Sequence, residues 1–523
     1  MHRRQFLVAA AAAGLLPVPL AQAATPDGRL RVVSEAGPNS FDSFSPGVNR
    51  QSIQISWNVY DRLLRFGRKP GGQGTDSFDY FALHGELAES WAVSRDGRAI
   101  TLVIRAGAVF HDGRPVTAAD VKWSLDRVVA SPIGRAQFSS GSMTDPAQFV
   151  VVDARTIRID LPQPDRSALP NLALTYPIIV NSELARQHAT AEDPFASRWL
   201  QANPAGGGAF AVAEATLGER VVFTRFDGWR SGPRPALEQV LWQVVPEPET
   251  RIAALARGEA DIMQDVAPRD VARLAGLPGV KVAGAATQAF QFIGMNTQTP
   301  PFDNPKVRQA IAAALPYDDL FSAALHGRGQ PLWGDDAGAG LRFPQPMGYV
   351  TDPDRARALM DGVGPLRVPF AFDMGQAGVA EPVAILLQEA LGRIGIAVDI
   401  EKVPAGQLGS RLQDKTVPFF FEGSIAFLAD PDYFFRIFYH GATRWNFGSY
   451  ANPEFAGLVE RTRFQTDRAA YEADVARMIH LAKQDLPVIL LWHPTLDVAM
   501  RDTVTGYGFD FHRMLDLRPL ARG

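Results

Sequence analysis

The chain of 523 residues contains no cysteine. Disulfides, thiolate metal sites, iron–sulfur clusters and cysteine nucleophiles are therefore excluded, and so is a lipid anchor on an N-terminal cysteine. The compartment stays open on this ground, since an exported protein with a large core needs no disulfide. Lysine is scarce, and arginine carries nearly all the positive charge. The net charge is −4, or −6 without Arg3 and Arg4 of the leader. A mildly acidic chain argues against general binding of nucleic acid or anionic membrane, which needs a positive field. No Gly-x-Ser-x-Gly elbow, Ser-x-x-Lys, Gly-Lys pair or His-x-x-x-His pair occurs. Hydrolase nucleophiles, phosphate loops and zinc hydrolase motifs thus lack their usual signatures, and the expectation is no enzyme, no cofactor and no bound metal. No long apolar run follows the first residues.

Those first residues are a leader. Met1-His2-Arg3-Arg4-Gln5-Phe6-Leu7 is a positive start, the apolar run continues to Leu16, and Ala21-Gln22-Ala23 offers a small–x–small cleavage site. The Arg-Arg-x-Phe-Leu core resembles a twin-arginine leader, with His2 where Ser or Thr is common; an ordinary Sec leader is the alternative. The mature protein is expected to start near Ala24, in the periplasm and free of a membrane anchor.

The length calls for two or three domains. Leu30 to Val33 reads as a first strand. Ile100 to Arg105 and Thr156 to Leu161 are strands around a helix opened by Thr117 and Asp120, with Val121, Leu125 and Val128/Val129 on one face. Leu237 to Val245, Glu249 to Ala256 and Asp261 to Met263 follow as strand, helix and strand. A second α/β block starts near Gln288. Asn304-Pro305 begins a helix, and Val368 to Phe372, Val383 to Ile394 and Ile396 to Ile400 form a β–α–β unit, with Gly395 as cap. Tyr471 to Leu486 is helical and leads into the strand Val488 to Trp492. Lys69-Pro70-Gly71-Gly72 reads as a surface loop. Two α/β blocks around a cleft form a binding architecture.

Three features look like chemistry. Gly206-Gly207-Gly208 reads as a turn rather than a phosphate cradle. His111-Asp112 reads as a turn with Gly113 rather than a base and its orienting carboxylate. Asp430-Pro431-Asp432 reads as a capped loop before the aromatic helix Tyr433-Phe434-Phe435 rather than paired carboxylates. Aromatic rings crowd between Phe427 and Tyr450; core packing accounts for most of them. Trp445-Asn446-Phe447 lies in a Gly-punctuated loop, so Trp445 and its neighbour Asn446 are candidates for stacking on a ligand. Arg436 and Arg444 are candidates for a carboxylate clamp, with solvated surface arginines as the alternative.

Leu87-Ala88-Glu89-Ser90-Trp91, Asp96-Gly97 and the run from Thr101 through Phe110-His111-Asp112-Gly113 to Asp120-Val121 closely resemble the signature of the family 5 extracellular solute-binding proteins. These are dipeptide-, oligopeptide- and nickel-binding components of ABC importers. Gly206 to Phe210, Pro248 to Ile262, Asn296 with Pro301 to Ala310, Tyr450 to Phe455 and Asp485 to Ile489 continue the resemblance in order. It implies a two-lobed periplasmic-binding-protein-like α/β fold, type II and cluster C, with mixed sheets and packed helices. Domain I would be discontinuous (24–56, 186–285 and 487–523), with domain II at 57–185 and domain III at 286–486. The implied partners are a small solute, peptide-like, opine-like or a metal chelate, and the subunits of an ABC permease, for a monomer. Trp57, Phe427 and Asp430 join the candidate ligand contacts. One departure matters: peptide-binding members carry, three residues before Asp430, an Asp that pairs with the ligand's amino terminus, and here Phe427 stands there. A buried ammonium without a counter-charge is costly, so free-amine peptides are not the expected cargo. The alternatives are a nickel or metal-chelate binder using His440, and an exported hydrolase.

Overall fold

The computed structural model describes residues 28–45, 47–71, 75–441, 443 and 445–523. The segment expected to be a leader, Gly72 and Arg444 lie outside the described residues.

The strand Arg29–Ser34 is buried along most of its length because it lies inside a sheet. It runs parallel to Gln239–Val244 on one side and to Ile262–Met263 on the other. Arg220–Arg225 and Phe210–Thr216 extend this sheet in antiparallel fashion. Its other side is reached by Val488–Arg501, a strand of 14 residues.

That long strand joins two sheets. Its second half pairs with Val280–Ala286, and its first half pairs with Ala289–Met295. Only Thr287 and Gln288 separate these two partners, so the chain crosses between lobes twice, side by side. Thr287 binds the Pro494 carbonyl through its N–H at 3.3 Å and its Oγ1 at 2.9 Å. Beyond the crossing, Ala289–Met295 pairs with Phe419–Ile425, and Leu366–Asp373 joins Phe419–Ile425 to Ile396–Val403, both in parallel. The helix Ala377–Gly392 is the crossover between Leu366–Asp373 and Ile396–Val403, as a parallel pair requires.

The remaining block holds an antiparallel sheet in the order Ala88–Val93, Ala99–Ile104, Thr156–Asp160, Phe149–Val151. The helix Ala118–Ala130 lies on it. Thr117 Oγ1 accepts from the Asp120 N–H, and Asp120 Oδ2 accepts from the Thr117 N–H, so the expected capping box is formed. Val121, Leu125, Val128 and Val129 are fully buried.

The expected loop at Lys69-Pro70 is corrected: Leu64–Pro70 is a strand paired with Asp76–Gly85. The Gly71 N–H bonds to Thr75 O at 2.9 Å, so the turn begins only at Gly71. The strand Val488–Arg501 likewise runs nine residues past Trp492, where the sequence pattern ended it.

Candidate functional site

Residues 80–176 meet residues 427–471 across an interlobe seam. Tyr80 OH donates to Asp430 Oδ2 at 3.3 Å, and Tyr433 OH donates to Gln137 Oε1 at 3.3 Å. Arg166 Nη2 donates to Gln465 O at 2.6 Å, while Arg463 Nη2 donates to Ser139 O at 2.6 Å. Arg166 lies 3.6 Å from Asp432, and Arg463 lies 3.7 Å from Asp165. Asp430 stands at the N-cap position of the helix Pro431–Phe438, but its side chain makes no cap bond and turns to Tyr80 instead. Burial, aided by the charge of Asp432, pushes the Asp430 carboxyl up to about 6. Burial also raises Asp432, against the pull of Arg436 and Arg166.

Two cavities flank this seam. The inner chamber, of about 450 Å³, is walled by Phe78, Tyr80, Phe81, Phe343, Leu428 and Ala429, among others. Thr287, Gln288 and His493 of the crossing segments also line it. Its volume suits a small molecule. The outer cavity, about 780 Å³, is lined by Arg166, Asp430, Arg463 and Tyr471. Phe81 lines both, and it is 76% exposed.

Phe427 occupies an aromatic box. Its ring centroid lies 4.8 Å from His512, 5.8 Å from Phe511 and 5.8 Å from Tyr176, and Tyr176 stacks on Phe44 at 6.1 Å. Ser43 Oγ, Thr175 Oγ1 and His512 Nδ1 are buried with no hydrogen-bond partner among the described residues. Burial, then the charges of Arg513 and Arg50, push the His512 imidazole down to about 4.

The structure brings Phe427 and Asp430 together at this seam. Arg436 is mostly buried, 3.8 Å from Asp432, with Nε and Nη2 lacking hydrogen-bond partners among the described residues. Trp445 packs 5.7 Å from Phe447 and 6.4 Å from Phe438. It lines an apolar void of about 10 Å³, apart from the larger cavities. Asn446 is buried and ties its own loop: its Nδ2 donates to Gly441 O and Tyr450 O, and its Oδ1 accepts from the Tyr450 N–H, each at 3.0 Å. Trp57 is buried beneath the Arg62 guanidinium, 3.6 Å from its ring centroid, and lines none of these cavities. His440 has no metal-binding company: no group of three His, Cys, Asp or Glu able to hold an ion occurs among the described residues.

His111-Asp112-Gly113 is a turn. His111 Nε2 lies 3.0 Å from Gly208 O, Asp112 accepts from Asn181 Nδ2 at 2.8 Å, and Gly113 has φ +87°. Gly206 is held by close approach, since a Cβ there would sit 2.1 Å from Val59 O. Sequence reasoning missed Tyr80, Phe81, Arg166, Arg463 and Arg342, the last of which lines the inner chamber. The one available signal was the consecutive pair Tyr80-Phe81 on a strand, which must point a ring to each face.

The description "Bacterial extracellular solute-binding proteins, family 5 Middle" matches residues 82–446. The dipeptide-binding protein of Escherichia coli (strain K12) is 26% identical over 515 residues, 91% of each chain. The periplasmic binding protein AgaA of A. tumefaciens R10, solved with agropinic acid, superimposes with a TM-score of 0.75 at 25% identity, over 95% of this chain and 99% of AgaA. NikA from Brucella suis, solved with Fe(III)-EDTA, gives a TM-score of 0.80 at 23% identity, over 95% of this chain and all of NikA.

Proposed function

This chain belongs to the family 5 bacterial extracellular solute-binding proteins, and from that premise we propose that it captures a small solute in the interlobe cleft and delivers it to an ABC permease in the membrane. The observation that carries the reading is the chamber of about 450 Å³, bounded by both lobes and floored by the crossing segments. The relatives name the range of cargo: dipeptide, agropinic acid and a metal chelate. The same reading places the protein in the periplasm as a monomer divided into domains I to III at the boundaries given above. No described helix is long and apolar enough to cross a membrane, in keeping with it. Capture without turnover is the expected behaviour, in line with the solute-binding relatives.

The ligand contacts belong to this reading too. Asp430 lines the outer cavity and accepts from Tyr80 of the chamber wall, and Phe427 stands beside the wall residue Leu428 without lining either cavity. Arg436 joins them through its unsatisfied donors. Trp57, Trp445 and Asn446, the other candidate contacts, line neither of the two larger cavities.

The test is native mass spectrometry of the exported protein, followed by small-angle scattering with and without the solute removed. A bound small molecule, and a larger radius of gyration after its removal, are expected. Chemical conversion of the captured molecule during incubation would transfer the protein to the enzymes.

A further inference from the structure

The charged residues that line the chamber are of one sign, although Asp79 and Asp430 stand just behind the lining. Its described lining residues include Lys69 and Arg342 but neither Asp nor Glu. Arg342 is exposed and forms no ion pair and no side-chain hydrogen bond among the described residues. Lys69 is partly engaged, 3.6 Å from Asp79. Burial lowers the His493 pKa, against the backbone carbonyls of Ala289 and Pro344, and its Nδ1 lies 2.7 Å from Ala289 O. The Asp430 carboxylate lies behind the wall residue Ala429, bonded to Tyr80, and lines the outer cavity instead.

An ammonium entering such a chamber would leave water without a counter-charge and would face two cations. Both effects disfavour it, less where the wall is exposed, as at Arg342 and Phe81, than in the buried part. A carboxylate meets the opposite situation, since an arginine fork binds it through two parallel hydrogen bonds. The rest of the wall is apolar or neutral. Phe78, Tyr80, Phe81 and Phe343 supply rings. Gln288, Gln330 and Gln345 supply amides, and the Gln288 Oε1 is buried without a partner among the described residues. A lone buried acceptor calls for an N–H or O–H donor on the solute.

We propose that the chamber selects a carboxylate-bearing solute with an apolar or aromatic body and no ammonium group, its carboxylate held at Arg342 and Lys69. This rests on the capture reading and narrows it to a class of cargo. It also gives the Phe427 substitution a setting: the position carries a ring in an aromatic box, and the adjoining chamber carries no acid that could replace the missing one.

Titration calorimetry on the mature, ligand-stripped chain tests this with three probes of one side-chain pattern: N-acetyl-Ala-Phe, Ala-Phe and Ala-Phe amide. The acetylated acid is expected to bind at least about tenfold tighter than Ala-Phe, with the amide weakest. Arg342→Ala should remove about tenfold or more of that affinity, and Arg342→Lys should restore part of it. Equal or tighter binding of Ala-Phe or its amide overturns the proposal, as does full affinity in Arg342→Ala. The solute that co-purifies with the wild-type chain adds a second reading: an amine-free carboxylic acid supports the proposal, and an ammonium compound overturns it. Either of those overturning results leaves solute capture standing. Absence of every probe and of any co-purified molecule removes capture itself, and the proposal with it.

Discussion

Asp430 should make the protein less stable as the solution becomes less acidic, in a range where proteins are usually comfortable. Its carboxyl titrates near 3.8 when unperturbed and at about 6 in the folded protein, where burial and then Asp432 oppose ionisation. Between those values the folded chain holds a proton that the unfolded chain has released. Stability therefore falls as pH rises from about 4 to 6 and stays low above. The interval corresponds to on the order of 3 kcal/mol lost at neutral pH. Arg166 and Arg436 attract the ionised form, and Tyr80 donates to it; their pull is already contained in the value of about 6.

Asp430→Asn removes the titration and keeps an oxygen for Tyr80. The comparison is variant against wild type, by calorimetric melting at pH 5.0 and at pH 7.5. Asp61 and Asp510, raised by burial to about 7, titrate in both proteins and cancel in the difference. By pH 5.0 the wild type has already lost about half of that stability, so the variant's lead there should be roughly half of its lead at pH 7.5. The variant should be the more stable at pH 7.5, by ~1–3 kcal/mol. A difference that does not change with pH, or a variant less stable than wild type at pH 7.5, would refute the assignment of the missing stability to a desolvated Asp430.

Further outcomes follow from the same contacts. Arg62 and Glu86 are both fully buried at 2.7 Å, with Arg518 at 3.0 Å from Glu86. Arg62→Ala should cost ~2 kcal/mol in denaturant unfolding, because it removes one of the two guanidiniums that hold a buried carboxylate; a loss below ~1 kcal/mol would contradict that. Gly206→Ala should lower the melting temperature through a Cβ placed against Val59 backbone, a cost of ~2 kcal/mol. Gly392→Ala, in a helix with open space around it, should be neutral or slightly stabilising. Arg166→Ala removes a 2.6 Å bond to Gln465 O and a guanidinium 3.9 Å above the Tyr471 ring. It should weaken solute binding by about tenfold, or ~1–2 kcal/mol. An unchanged Kd in calorimetry would show that the seam does not support the bound state.

Local signals carried much of the fold. Thr117 with Asp120 marked a helix start because a capping box is a contact within three residues, and Asn304-Pro305 did the same because proline fits the first helical turn. The strand Val488–Arg501 was legible only to Trp492. Beyond it, Pro494 cannot donate to a ladder, and His493, Thr495 and Asp497 break the apolar pattern. The strand continues because a new partner, Val280–Ala286, takes over where Ala289–Met295 ends. That handover is a fact of tertiary structure with no local signature. The site divides in the same way. Phe427 and Asp430 were reachable through an aligned motif, while Arg166, Arg463 and Arg342 act through side-chain directions that spacing does not encode.

The position of the crossing segments links capture to lobe geometry. Thr287, Gln288 and His493 belong to the two connections between sheets, and the same residues floor the chamber. A solute that touches this floor and also Tyr80 or Phe81 contacts both lobes and their connection at once, so its binding energy differs between lobe arrangements. Only such a difference lets a ligand shift a conformational equilibrium. The outer contacts behave otherwise. Arg166 to Gln465 and Arg463 to Ser139 join the lobes without any solute, and they favour closure whether or not the chamber is filled. Their strength sets how often the empty protein closes, and the chamber sets which solute holds it shut. Weakening the outer contacts should therefore lower affinity for every solute by the same factor, whereas changing Arg342 should alter the ratio between solutes.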